Sequence, residues 1–212
     1  MQLQVAIDRV TVPEAIELIR RVGGNADIVE IGTSLIKEYG LADSVGKICR
    51  EFPGQAFLAD IKTCDEGAYE FQKTYEAGVE IATVMGFSSF STVRACEQVA
   101  QSLGKPYLID LLECDAARVK RLAAEFPQAI FGIHLPSDCE GEGLTELVEQ
   151  MAGQLSDEAA AAPKIAAAGG VRLSAVPLLK QFGIEVSIVG GAITKAADVS
   201  AAARAFYEAV HM

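Results

Sequence analysis

Gln55-Ala56-Phe57-Leu58-Ala59-Asp60-Ile61-Lys62-Thr63-Cys64-Asp65 (residues 55–65) opens as an apolar run and closes on a carboxylate, an ammonium and a second carboxylate within six residues. The apolar part, Ala56–Asp60, has the length and continuous hydrophobicity of a strand buried on both faces. A helical pattern follows at Glu66–Ala77. Asp60 and Lys62 share strand parity, which places both on one side and Ile61 on the other. Asp65 falls where the chain is already turning into the helix. A strand that is apolar along its length, charged only at its end and followed by a helix is one βα unit, and the whole chain reads as repetitions of it.

Candidate strands are Leu3–Ile7, Asp27–Ile31, Ala56–Asp60, Glu80–Val84, Pro106–Leu111, Ala129–His134, Lys164–Ala168 and Glu185–Val189. Candidate helices are Pro13–Val22, Leu41–Phe52, Glu66–Ala77, Phe90–Leu103, Ala116–Phe126, Leu144–Leu155, Leu173–Phe182 and Val199–Val210. The strand ends from Asp8 to Gly190 recur about every 26 residues. Alternation of this kind implies parallel strands joined by right-handed crossovers. Eight units predict an α/β fold, a closed (β/α)₈ TIM barrel occupying residues 1–212 as one domain. An open doubly wound sheet is the competitor, and nothing at the chain ends favours it. Thr11, Pro13 and Glu14 form a helix start; Ser174 and Asp198 occupy expected cap positions; Gly23-Gly24, Gly104 and Gly183 occupy expected helix ends. Ser156–Pro163, with four consecutive alanines, reads as a frayed helix end and loop without chemical content.

The 212 residues are half hydrophobic, with positive mean hydropathy, as expected of a globular chain. A formal net charge of −11 argues against nucleic acid or an anionic membrane surface as partner. Met1 leads directly into a strand, and no run of 18 or more apolar residues occurs, so neither export nor membrane spanning is expected. Five cysteines, at 49, 64, 96, 114 and 139, include no C-x-x-C pair. Structural zinc and a disulfide framework are therefore disfavoured, and a reducing cytoplasmic setting is expected. Cys49 and Cys96 read as buried filler, and Cys64 has no histidine beside it in sequence to activate it.

In such barrels the chemistry occupies the C-terminal ends of the strands. Those positions hold Asp8, Glu30, Asp60 with Lys62, Asp110 and His134, while strands seven and eight end in Gly169-Gly170 and Gly190-Gly191. Charges gathered at a barrel mouth cost stability unless they bind something. His134 is a candidate general acid or base, although a lone histidine after a strand is more often structural. Glu30 and Asp60 are hard oxygen donors, which point to Mg²⁺ rather than zinc, with Mn²⁺ as the alternative. The bland reading of Glu30 is a salt bridge to Lys62. Paired glycines let backbone N–H groups approach an oxyanion, and the loops after strands seven and eight form a common phosphate site of these barrels. Arg172 and Thr194 are candidate additional donors. A small phosphorylated metabolite is the expected substrate.

These blocks resemble the orotidine monophosphate decarboxylase suprafamily, and in it the branch of 3-hexulose-6-phosphate synthases and 3-keto-L-gulonate-6-phosphate decarboxylases. The likeness is carried by Gln4-Val5-Ala6-Ile7-Asp8, Asp27-Ile28-Val29-Glu30-Ile31-Gly32-Thr33, Asp60 to Gly67, Ala167-Ala168-Gly169-Gly170 and Val189 to Thr194. The resemblance implies that Glu30 and Asp60 hold Mg²⁺ and that Lys62 stabilises an enediolate. Asp8, Asp110 and His134, by their strand-end positions, are expected to share the barrel mouth as catalytic residues. The resemblance also implies a homodimer with shared active sites, in which Asp65 reaches the partner subunit's site. Ile109-Asp110-Leu111, Ser137 and the Gly190-Gly191-Ala192-Ile193-Thr194 loop lean toward the synthases, since the decarboxylases typically carry glutamate, arginine and Gly-Arg there. Departures from the synthase pattern are Leu135-Pro136-Ser137-Asp138 after His134, Phe87-Ser88-Ser89 after strand four, and Ser34 where proline usually stands.

Three readings follow. The first is an Mg²⁺-dependent aldolase-type lyase that joins formaldehyde to ribulose 5-phosphate, giving a hex-3-ulose 6-phosphate. The second is decarboxylation of 3-keto-L-gulonate 6-phosphate through the same kind of enediolate. The third is a non-catalytic sugar-phosphate-binding paralogue, disfavoured by the intact set of acids and lysine.

Overall fold

A computed structural model describes residues 1–139, 143–158 and 163–212. Eight parallel strands close into a barrel in sequence order: β1 (Gln2–Ile7), β2 (Ile28–Ile31), β3 (Ala56–Thr63), β4 (Ile81–Met85), β5 (Tyr107–Asp110), β6 (Ile130–His134), β7 (Lys164–Ala168) and β8 (Val186–Val189). β8 pairs with β1 through Leu3 and Ser187, which closes the ring. The helices are α1 (Val12–Val22), α2 (Thr33–Leu41), α3 (Lys47–Glu51), α4 (Gly67–Glu76), α5 (Phe90–Ser102), α6 (Ala116–Glu125), α7 (Leu144–Glu158), α8 (Val176–Gln181), α9 (Gly191–Thr194) and α10 (Val199–His211). The barrel and its single domain are as the βα alternation predicts.

Local chemistry explains where the elements begin. Thr11 caps α1 in a full capping box with Glu14, and Pro13 sits in its first turn. Asp198 caps α10 by accepting from the Ala201 N–H. Gly104 and Gly183 leave α5 and α8 in the left-handed region, at φ 63° and 72°.

Two expectations need correction. The helix read at Leu41–Phe52 begins eight residues earlier, at Thr33, and is interrupted by Gly40 at φ 71°, ψ 169°. A π-helical stretch at Ala42–Gly46 then leads into α3. The helix read from Leu173 starts instead at Val176, after a 3₁₀ turn at Leu173–Ala175. A helix from Leu173 would set the ring of Pro177 against the carbonyl four residues back, so Ser174 caps nothing. The helix end expected within Ser156–Pro163 falls at Glu158, and residues 159–162 lie outside the described residues.

The core is built in two shells. The larger packs the outward faces of the strands against the helices, with Phe57, Phe71, Phe126 and Phe131 almost fully buried. The smaller fills the barrel itself with Ile28, Leu58, Ile81, Leu108, Ile130, Ala166 and Val186. Because strand side chains alternate, the next inward residues toward the C-terminal ends are two positions on: Glu30, Asp60, Thr83, Asp110, Gly132, Ala168 and Ile188. An apolar floor therefore carries a largely polar tier directly above it.

Candidate active site

That tier lines a cavity of about 710 Å³ at the C-terminal mouth. Asp8, Glu30, Asp60, Lys62, Asp110 and His134 all face it, as do Gly169, Gly170, Gly190 and Gly191. Asp65 does not: its carboxylate is exposed beyond the rim and accepts from the Glu66 N–H at 2.9 Å. Arg172 is exposed and outside the cavity wall, and the Thr194 hydroxyl donates to the Gly190 carbonyl.

Four ionisable groups form a line in which basic and acidic side chains alternate. Lys62 Nζ lies 2.8 Å from Asp60 Oδ2 and 3.3 Å from Asp110 Oδ2, and His134 Nδ1 lies 2.8 Å from that same Asp110 oxygen. A carboxylate only accepts, so Nδ1 is the donating nitrogen and Nε2 is the one free to exchange a proton with a ligand. The Leu112 N–H donates to Asp110 Oδ1 at 2.9 Å, which fixes the carboxylate from its other side. Burial raises the Asp110 pKa, but the His134 hydrogen bond and charge, with Lys62 and the Leu112 amide, outweigh it and hold the carboxyl low. For His134 burial acts downward, and the bond and charge of Asp110 win, leaving the imidazole raised. Burial also works against the Lys62 ammonium, and the two aspartates more than compensate, so it stays charged.

Strand parity alone does not aim Lys62. The β3–β4 register shifts between Ala59 and Thr63, and Lys62 itself is left-handed at φ 49°. Thr83 Oγ1 accepts from the Lys62 N–H and donates to Asp60 Oδ1, both at 3.0 Å. Thr33 Oγ1 reaches Asp60 Oδ2 at 2.8 Å from the start of α2. Thr33 and Thr83 thus set the aspartate and the lysine backbone. Gln4 was also missed in the sequence, as was Lys195, which lines the mouth beside the Gly190-Gly191 pair. Uncharged polar residues on otherwise apolar strands look like filler until the barrel closes. Lys195 follows a short helix that periodicity does not reveal.

Glu30 stands apart from the line. The salt bridge to Lys62 does not form, because the ammonium is committed to Asp60 and Asp110; Glu30 accepts instead from Gln4 Nε2 at 2.6 Å. Burial, then the Asp60 charge, push its carboxyl up to about 8, with Gln4, Lys62 and His134 pulling the other way. Two oxygen-donor carboxylates, one without a cationic partner of its own, fit a hard divalent cation whose other ligands are water and substrate oxygens. Among the described residues no group of three or more His, Cys, Asp or Glu forms a complete cage.

A pH effect follows from Glu30. A carboxyl raised on folding contributes stability that is complete below about 4.5 and lost as the pH rises through about 8. Metal-free protein should therefore melt at lower temperature as the pH climbs across that window. Glu30→Gln, which keeps the shape without the charge, should remove roughly 3–8 °C of that fall. Melting curves of both proteins from pH 5 to pH 9 check this, and parallel curves would show that the buried charge is harmless.

The sequence model of the Orotidine 5'-phosphate decarboxylase / HUMPS family matches residues 1–206. A 3-hexulose-6-phosphate synthase from Bacillus subtilis (strain 168) is 36% identical over 203 residues, covering 93% of each chain. Another from Mycobacterium gastri is 33% identical over 215 residues, covering 99% of this chain and 100% of its own. The crystal structure of 3-hexulose-6-phosphate synthase from Salmonella typhimurium superposes with a TM-score of 0.90 at 31% identity, covering 100% of this chain and 99% of that one.

Proposed function

The chain belongs to the Orotidine 5'-phosphate decarboxylase / HUMPS family, and on that premise we propose that it is an aldolase-type lyase joining formaldehyde to ribulose 5-phosphate. The product is a hex-3-ulose 6-phosphate. The observation that carries this reading is the line Asp60–Lys62–Asp110–His134, set between a part-buried glutamate without a cation of its own and two glycine pairs. Its full-length relatives named 3-hexulose-6-phosphate synthase support the same activity.

Each part has a chemical role. The amides of Gly169, Gly170, Gly190 and Gly191 receive the phosphate at one side of the mouth. His134 Nε2 takes a proton from C1 of the bound ketose. C1 then forms the new carbon–carbon bond to the aldehyde carbon, and the proton goes to the aldehyde oxygen, which becomes a hydroxyl. Lys62 holds a fixed positive charge where the enediolate oxygens develop negative charge. Asp110 keeps the imidazole in one tautomer, and Asp8 accepts from a sugar hydroxyl. Glu30 and Asp60 would hold Mg²⁺, which when bound spreads negative charge from the sugar oxygens as a Lewis acid.

Purified protein is expected to consume ribulose 5-phosphate and formaldehyde in the presence of Mg²⁺. It should lose at least about 10²-fold in rate with chelator and recover on adding Mg²⁺ or Mn²⁺. Faster release of carbon dioxide from 3-keto-L-gulonate 6-phosphate would reassign the substrate. Unchanged turnover in chelator would leave the carboxylates with another purpose.

Asp65, exposed beyond the rim of its own mouth, is suited to completing the site of a second copy in a homodimer. Inactive Asp65→Ala and Lys62→Ala proteins, mixed under subunit exchange, should then recover activity. Half the dimers become mixed, and each mixed dimer holds one intact site, so recovery should reach about a quarter of wild type. Exchange without recovery would confine Asp65 to its own chain.

A further inference from the structure

Ser34 is the second residue of α2 and lies beside, not in, the cavity. Its N–H donates to Asp8 Oδ1 at 3.0 Å, and its hydroxyl donates to the same oxygen. The hydroxyl oxygen also accepts from the Arg9 N–H at 2.7 Å, where the chain leaves β1 with Arg9 at φ 56°. A serine hydroxyl has one proton, and a carboxylate only accepts, so the direction of every bond is fixed. Gly32 makes the approach possible, since a Cβ there would stand 2.6 Å from the Asp8 carboxyl carbon and oxygen. Asp8 Oδ1 thus takes two donors from the first turn of α2, where negative charge is favoured. Asp8 Oδ2 takes none from the described residues, and Asp8 lines the cavity.

We infer that Ser34 is a positioning residue for substrate recognition: it consumes one oxygen of Asp8 inside the protein and so presents the other, at a fixed angle, to a hydroxyl of the sugar phosphate. The inference rests on the reading of Asp8 as a substrate contact. Ser34 itself touches no substrate and acts through Asp8 alone. A residue that only tied the end of β1 to α2 would hold the fold and leave recognition untouched, so the two roles separate by experiment.

The test is a double-mutant cycle with Ser34→Ala, Asp8→Ala and the pair, together with Ser34→Thr, which keeps both the N–H and the hydroxyl. Rates with ribulose 5-phosphate, calorimetric binding of ribulose 5-phosphate alone, and melting temperature are measured for each. Ser34→Ala should raise KM about 10-fold while kcat stays within about 3-fold of wild type. The pair should be no worse than Asp8→Ala, and Ser34→Thr should restore KM to within about 3-fold. A lower melting temperature with unchanged KM would leave Ser34 as a structural tie between the end of β1 and α2 and overturn the inference. So would effects of Ser34→Ala and Asp8→Ala that multiply in the pair. If wild type fails to turn over, the proposed reaction falls, and the binding data decide Ser34 by themselves: a dissociation constant indifferent to Ser34→Ala overturns its role.

Discussion

Lys62→Met should lower kcat/KM by about 10³-fold, equivalent to about 4 kcal/mol of transition-state stabilisation. Among the described residues the ammonium is the one cation in contact with both Asp60 and Asp110, so no described neighbour replaces its charge when the enediolate forms. Methionine retains the length and apolar stem, which makes charge the main variable. The substitution also leaves Asp60, Asp110 and Glu30 facing one another across the mouth. Breaking a fully buried pair costs about 3–5 kcal/mol, and an open cavity screens part of that, so about 1–3 kcal/mol is expected here. Kinetics and chemical denaturation of the one variant check both numbers. Loss of less than about 10-fold in rate would remove Lys62 from the chemistry.

His134→Gln should cost about 10²–10³-fold in kcat and leave the KM for the sugar phosphate within about 3-fold. Glutamine can still hydrogen-bond but cannot exchange a proton near neutral pH. The companion variant Asp110→Asn tests why the imidazole is poised as it is. Asp110 raises the His134 pKa through both its bond and its charge, against burial and the Lys62 charge. Removing the aspartate charge should therefore move the histidine limb of the kcat/KM profile to lower pH. A limb that stays in place, or moves upward, would assign it to another group.

Much of this was visible in the residues because strands buried on both faces betray themselves by continuous apolarity. Eight such runs, seven of them closed by a charge or a glycine pair, gave the barrel and its working end together. The sequence could not show how Lys62 reaches Asp110. That depends on a shifted register and a left-handed backbone, and both arise only once β3 pairs with β4. The onset of α2 was equally hidden: Gly40 looks like a terminator, and in the barrel it is a break between two helical pieces. Thr33 and Thr83 escaped because a threonine has no charge to betray its purpose and is at home in a strand. Asp65, read as lying where the chain turns into the helix, stands just before α4 and outside the cavity wall.

The barrel's two interior tiers make the molecule forgiving in one place and brittle two residues away. A library that varies Gln4, Ala6, Thr83, Ala168 and Ile188 alters the walls of the mouth while the aliphatic plug below keeps holding the ring closed. Most members should fold, and new carbonyl substrates could be sampled at small loss of soluble protein. The same effort spent on Leu58, Ile81 or Leu108 removes packing at about 2–5 kcal/mol for each truncation to alanine, which can exhaust a marginal stability after two changes. For this chain, the height of an inward-facing position along its strand, floor or mouth, is the practical guide to whether a mutation explores chemistry or forfeits the protein.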